Sequence, residues 1–477
     1  MTLKDEWKHE FISIVKRVLN ISTLDDLLKF NLKNLNDPTF RKIRFVTSNL
    51  VRTVPGIQTL TQTVLDPNDN ILSVGEKSLI FIRIAWLCRS EYQFISETLR
   101  GVQNGIIWED LKRIISESTS LGSKFKNITL LNAVDELYED FFINDTTWKA
   151  LSENYSEQQL AGIIIAAGVC YSRSMLLKSI GIQFEVKNNG FGDLSDKINQ
   201  LERFKEIYEC VKTLKMFYKE KISEKINRKR LKIPRIAPKE YSAWTEERKN
   251  LFSVTLNRTF NVSSLSDFLN MDFSGLNRNS LIQLLTLTSN INKTTCGLTA
   301  LMQHALPPPY DLTAKSLLPS RDKELLIIRT GWLCRAEYEF VAHVSIGLDI
   351  GITWEEIESI IEGSNSSSWD PKDCTLLKTV DELHKNLFIS DDTWKRLSKT
   401  YDEQQLMGII IVVGRYHLIA MLNNSFGIQF GEKNEGFGDL SEKINNTEFA
   451  KHYFKKIIKA RKLYRSKVEE YKKETFI

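Results

Sequence analysis

Residues 76 to 198 recur at 322 to 444 without a gap, and nothing else in this 477-residue chain restricts its fold so tightly. Cys88 returns as Cys334, Trp108 as Trp354, Trp148 as Trp394 and Gly192 as Gly438, each 246 residues later. A tandem pair of one unit is the simplest reading, and each copy is long enough to bury a core of its own. The apolar positions are mostly kept. At four polar ones the copies diverge: Ser78 stands opposite Glu324, Gln93 opposite Glu339, Glu97 opposite His343 and Tyr171 opposite His417. The core is duplicated, and the ionisable side chains gather in the second copy.

Each copy opens with an amphipathic lead, Trp7 to Leu28 and Trp244 to Leu269. The string Asn20-Ile21-Ser22-Thr23-Leu24 is echoed by Asn261-Val262-Ser263-Ser264-Leu265 only 241 residues later, so the second copy gains five residues before its core. We expect them near Leu306-Pro307-Pro308-Pro309-Tyr310, which can form only a loop because consecutive prolines offer no backbone donor.

Beyond that loop, Ser320 reads as a helix cap followed by acids, and Leu325, Leu326, Ile327, Ile328 and Trp332 give the helix a broad apolar face. A second helix carries Tyr338 to Asp349 and stops at Gly351. Thr353-Trp354-Glu355-Glu356 has the form of a capping box and opens a third. Leu376 to Leu387, Asp391 to Trp394 and the run from Asp402 to Leu422 suggest more. Strand-like alternation is nearly absent, so the fold class is all-α.

The expected division is an N-terminal unit over 1–200, a basic helical arm and linker over 201–240, a C-terminal unit over 241–448 and a basic helical tail over 449–477. Both arms have apolar residues at helical spacing (Phe204, Ile207, Tyr208, Val211, Leu214 and Phe217 in the first), and we expect each to pack on its neighbour with a solvated lysine face.

A formal net charge of +5 on so long a chain is a weak field, so no nucleic-acid partner is expected. The six cysteines form no C-x-x-C pair, and a chain of this size needs no disulfide staples. With no signal-like leader and no apolar run near the ~18 residues of a membrane span, a cytoplasmic protein without a membrane partner is expected.

Glu339 and His343 are four apart on one predicted helix and therefore share a face, where the carboxylate can orient the ring and raise its pKa. That is the makeup of a general acid/base pair, although a surface ion pair has the same spacing. Glu324 on the preceding helix and His417 on a late one are expected to join it, within a shell of Trp332, Tyr338 and Phe340. A di-iron bundle needs two Glu-x-x-His elements among its core helices, and the repeated core offers only the Glu339-x-x-x-His343 pair, so no metal or other cofactor is expected. Cys334 has a twin in Cys88 and reads as core filling.

Three strings carry a family resemblance: Arg321-Asp322-Lys323-Glu324-Leu325-Leu326-Ile327-Ile328-Arg329, Glu337-Tyr338-Glu339-Phe340-Val341-Ala342-His343, and Tyr416-His417-Leu418-Ile419-Ala420-Met421-Leu422-Asn423. They resemble the carboxymuconolactone decarboxylase-like family, which shares its helical fold with the alkylhydroperoxidase D proteins. In the peroxidase branch a glutamate, a C-x-x-C pair and a histidine form a proton relay. Here those places fall on Glu324, Ala336, Glu339 and His343, so both sulfurs are missing and dithiol peroxidase chemistry is not expected. In the first copy Ser78, Ser90, Gln93 and Glu97 occupy them, and the relay is lost.

The decarboxylase-like branch commonly has the E-Y-E-x-x-x-H form seen here. The resemblance therefore implies an acid/base enzyme acting on a small organic acid or lactone. Its catalytic residues would be His343, Glu339 and Glu324, and its substrate would be held by His417, Arg329, Arg335, Tyr338 and Trp332. It also implies an internal pseudo-dimer and a homo-oligomer, with a trimer of chains as the natural assembly. The competing expectation is a non-catalytic scaffold or ligand-binding protein with a vestigial site.

Overall fold

The computed structural model describes residues 72–116, 127–181, 202–221, 318–429 and 448–475, with a few isolated positions besides. Both amphipathic leads fall mostly outside these residues, and the proline-rich loop at 306–310 entirely so. Among the described residues the chain is all-α. Seven helices are described in the first half: α1 (Val74–Leu87), α2 (Glu91–Gln103), α3 (Trp108–Ile115), α4 (Ile128–Asp140), α5 (Asp145–Ser152), α6 (Glu157–Ile180) and α7 (Glu202–Lys221). Seven follow in the second: α8 (Ser320–Leu333), α9 (Glu337–Asp349), α10 (Trp354–Glu362), α11 (Pro371–Asn386), α12 (Asp391–Leu397), α13 (Glu403–Phe426) and α14 (Glu448–Thr475).

Local chemistry sets these boundaries. Ser156 caps α6 and Asp402 caps α13, each in a reciprocal box with the glutamine three residues on. Both helices end at a glycine in the left-handed region, Gly181 at φ +74° and Gly427 at φ +64°. Thr353 and Glu356 form the expected box before α10. Two starts differ from expectation. The helix after the proline-rich loop begins at Ser320 itself, with Pro319 in the cap position. The fourth helix of the second half begins at Pro371 with Asp370 as its cap, several residues earlier than the apolar pattern suggests.

Several polar braces recur at matching positions. Arg83 forks onto Asp135 and also donates to the carbonyls of Ile114 and Ser116. Arg329 does the same with Asp381 and the carbonyls of Ile360 and Ile361. Tyr155 donates to Glu76 and Tyr401 to Asp322, both at 2.7 Å. The basic arms also dock alike. Tyr218 of α7 packs with Trp86 and Phe94, and Tyr464 of α14 with Trp332 and Phe340.

The halves meet along α6 and α13, which cross at two glycines. A Cβ added to Gly168 would lie 3.2 Å from the Leu418 backbone, and one on Gly414 would lie 3.1 Å from that of Ser172. Only glycine allows so close an approach. Hydrogen bonds cross the contact in reciprocal fashion: Ile143 N–H donates to Ser425 Oγ and Ile389 N–H to Ser179 Oγ. By length and composition both helices contain a window apolar enough to cross a bilayer, which inspection of the short apolar runs missed. Here those windows, Gln159–Ser179 and Gly408–Phe426, are mostly buried inside the fold.

Candidate functional site

Helices α8, α9 and α13 bring His343 between two carboxylates. Its Nδ1 lies 2.6 Å from Glu324 Oε2, and its Nε2 faces Glu339 Oε2 at 3.6 Å. The first contact is a charge-assisted hydrogen bond, and the second is electrostatic only. Asn423 donates to Glu339 Oε1 at 2.6 Å, and the Tyr416 ring meets the imidazole edge-on at 4.9 Å between centres. Glu324 and Glu339 are buried, and the His343 side chain is 13% exposed. Gly331 helps α8 lie close to α9, since a Cβ there would come within 3.0 Å of Phe340 N and 3.3 Å of Glu339 Cβ. The first half has Ala85 at that place.

Burial is the largest influence on His343 and pushes its pKa down. The charge and hydrogen bond of Glu324 and the charge of Glu339 outweigh it, against a smaller opposing effect of Lys323, so the imidazole ends above its ordinary 6.5. Burial likewise raises Glu339 above 4.5, although His343, Asn423 and Arg415 pull it back. The Tyr416 hydroxyl is raised, chiefly by burial, and stays protonated. Glu324 thus fixes one imidazole nitrogen, and the other faces Glu339.

The structure brings Glu324, Glu339 and His343 together and places the other expected residues in different contacts. His417 belongs to another cluster: its Nδ1 donates to the Val413 carbonyl, its Nε2 meets His384, and its ring packs on Phe141 and Tyr171. Tyr416, one residue earlier, takes the face toward His343. Arg329 is committed to Asp381 and two carbonyls and serves as a brace. Arg335 adopts φ +53° to close the turn between α8 and α9, as Arg89 does at +52°, and its guanidinium lies over the Tyr471 ring. Trp332 is part of the seam with α14. Tyr338 is buried on α9.

Three residues that the sequence reading did not single out belong to the site: Tyr416, Asn423 and Arg415. The charge of Arg415 acts on Glu339, and its buried Nε meets no acceptor among the described residues. A signal was present. Tyr416 and Asn423 are seven residues apart, hence on one helical face, and in the first half Cys170 and Leu177 hold their places.

The corresponding region of the first half is closed by its own side chains. Glu97 pairs with Arg173 at 3.1 Å, both about 95% buried. Gln93 donates to Cys170 Sγ and accepts from Ser174 Oγ. Burial pushes the Cys88 thiol up to about 12, which makes it unreactive as a nucleophile.

No protein-family model, curated protein or solved structure matches this chain.

Proposed function

We propose that this chain is a tandem protein of the carboxymuconolactone decarboxylase-like type, in which the second half is an acid/base site for a small organic acid or lactone and the first half is its packing partner. The observation that carries this reading is the mostly buried imidazole of His343, bonded to Glu324 on one nitrogen and facing Glu339 with the other. With Arg329 and Arg335 engaged elsewhere, Arg415 is the cation left to receive a substrate carboxylate, and its unmatched Nε suits that role.

On a lactone acid, cleavage of the carbon–carboxylate bond releases carbon dioxide and sends the electron pair into the conjugated carbonyl. The resulting enolate carbon takes a proton from His343 Nε2. Glu339, which faces that nitrogen and whose pKa burial raises, relays a proton from solvent back to the ring. Cysteine peroxidase chemistry is disfavoured, because Ala336 and Glu339 occupy the C-x-x-C places and Cys334 keeps company with His384 instead of His343. A non-catalytic ligand-binding role is the second reading, and it draws on how little of His343 is exposed.

Carbon dioxide release from a panel of unsaturated lactone acids tests the proposal. His343→Gln should lower turnover by roughly 10²–10⁴-fold, and Arg415→Met should act mainly on KM. Turnover unchanged in His343→Gln would reject the acid/base assignment. Anion binding without turnover across the panel would leave the ligand-binding reading.

A further inference from the structure

A second cluster lies where α8 and α13 meet α11. Cys334 at the end of α8, His384 in the last turn of α11 and His417 in the middle of α13 converge so that their ligand atoms all fall within 4.8 Å of one another. His384 Nδ1 is 3.1 Å from His417 Nε2 and 4.0 Å from Cys334 Sγ. Cys334 and His417 are fully buried, and His384 is half-buried.

We infer that Cys334, His384 and His417 form a binding site for a borderline-soft transition metal ion, zinc(II) foremost. One thiolate and two imidazoles are the donor set such ions prefer. Zinc–nitrogen bonds of about 2.0–2.1 Å and zinc–sulfur bonds of about 2.3 Å hold ligand atoms roughly 3 to 4 Å apart. The imidazole nitrogens already have that spacing, and the sulfur has only to close inward.

The tautomer is set as well. A backbone carbonyl can only accept, so the 2.8 Å contact between His417 Nδ1 and Val413 O places the proton on Nδ1 and turns the Nε2 lone pair toward His384. Holding the far nitrogen of a histidine on a carbonyl is how proteins orient a metal ligand. The Cys334 carbonyl is steadied in turn by Asn424 Nδ2 at 3.0 Å.

The first half supplies an internal comparison. It keeps the cysteine as Cys88 but has Tyr138 and Tyr171 where the second half has His384 and His417, so two of its three donors are phenols. Phe141 and Tyr171 reach across from that half and wall the imidazoles on one side, with ring centres 5.2 to 5.5 Å away. Both halves therefore complete the site. Three protein donors leave a fourth position for water or an exogenous ligand, as in catalytic rather than closed zinc centres.

The experiment uses the full chain, stripped with a chelator and titrated with cobalt(II) as a spectroscopic stand-in for zinc(II). The expected result is one cobalt(II) per chain, a sulfur-to-cobalt charge-transfer band, displacement by zinc(II) and a higher melting temperature with the metal bound. Cys334→Ser should abolish the band. Pairing His384→Tyr with His417→Tyr, which installs the first half's own residues, should weaken binding at least tenfold, and His343→Gln should leave it intact. His384→Gln alone, checked for native circular dichroism, serves if the paired variant fails to fold. The inference is overturned if the wild-type chain shows no charge-transfer band, or if stoichiometric binding persists without both histidines, or is lost with His343.

Discussion

The first half sets a glutamate against an arginine in its interior, and the second sets a histidine between two glutamates. Glu97 occupies the place of His343, so the sign of the buried charge is reversed, and its partner Arg173 comes from the long helix, where the second half has Ile419. The two arrangements differ most in what they do when disturbed. A guanidinium cannot give up its proton inside a protein, so the Glu97–Arg173 pair is a fixed brace. An imidazole can, and the cluster around His343 adjusts its charge to its surroundings. In their braces the halves agree: the Arg83 and Arg329 forks and the Tyr155 and Tyr401 hydroxyls recur at matching positions.

That contrast can be pressed experimentally. Glu97→Ala leaves the Arg173 charge buried and unpaired, and denaturant unfolding should show a loss of about 3–5 kcal/mol, the largest effect expected. A loss below 1 kcal/mol would mean that Arg173 finds another route to solvent and that the pair is no brace. Asn423→Leu copies Leu177 of the first half and removes the donor from Glu339 Oε1, at a cost of about 1–3 kcal/mol. The reciprocal change, Leu177→Asn, should bring no gain, because Gln93 already finds its partners in Cys170 and Ser174.

The smallest effect is in the pH dependence. His343 is influenced by Glu324 and Lys323 from α8 and by Glu339 from its own helix, and it meets the Tyr416 ring of α13, while the charge of Arg415 acts on Glu339 and Tyr416. Its folded pKa is raised, so its stabilising contribution is complete below the ordinary 6.5 and is lost as pH climbs through the folded value. Glu339, also raised, works in the same direction from its ordinary 4.5. The melting temperature should therefore decline from weakly acidic to alkaline pH, and His343→Gln should flatten the decline. An equal slope in wild type and variant would place the titrating groups elsewhere.

The helical class, most helix starts in the second half and the trio of Glu324, Glu339 and His343 were legible in the sequence, because caps, apolar period and i,i+4 spacing are local signals. His417 was misplaced by one residue of helical phase: a step of about 100° separates it from Tyr416, and only the packing of α13 decides which of them meets His343. Arg329 and Arg335 could not be read as brace and turn residues without their distant partners, Asp381 and Tyr471. His384 drew no notice because its partners, Cys334 and His417, lie 50 and 33 residues away in the chain.

The glycine-lined crossing of α6 with α13 has a consequence for synthesis of the chain. The apolar face of α6 is complete once Ser179 has been made, but its covering helix ends at Phe426. At about 5–20 residues per second, the nascent first half waits roughly 12 to 50 seconds for that cover. During this interval it carries an uncovered apolar stretch over Gln159–Ser179, of a length and composition that insertion machinery and holding chaperones are built to notice.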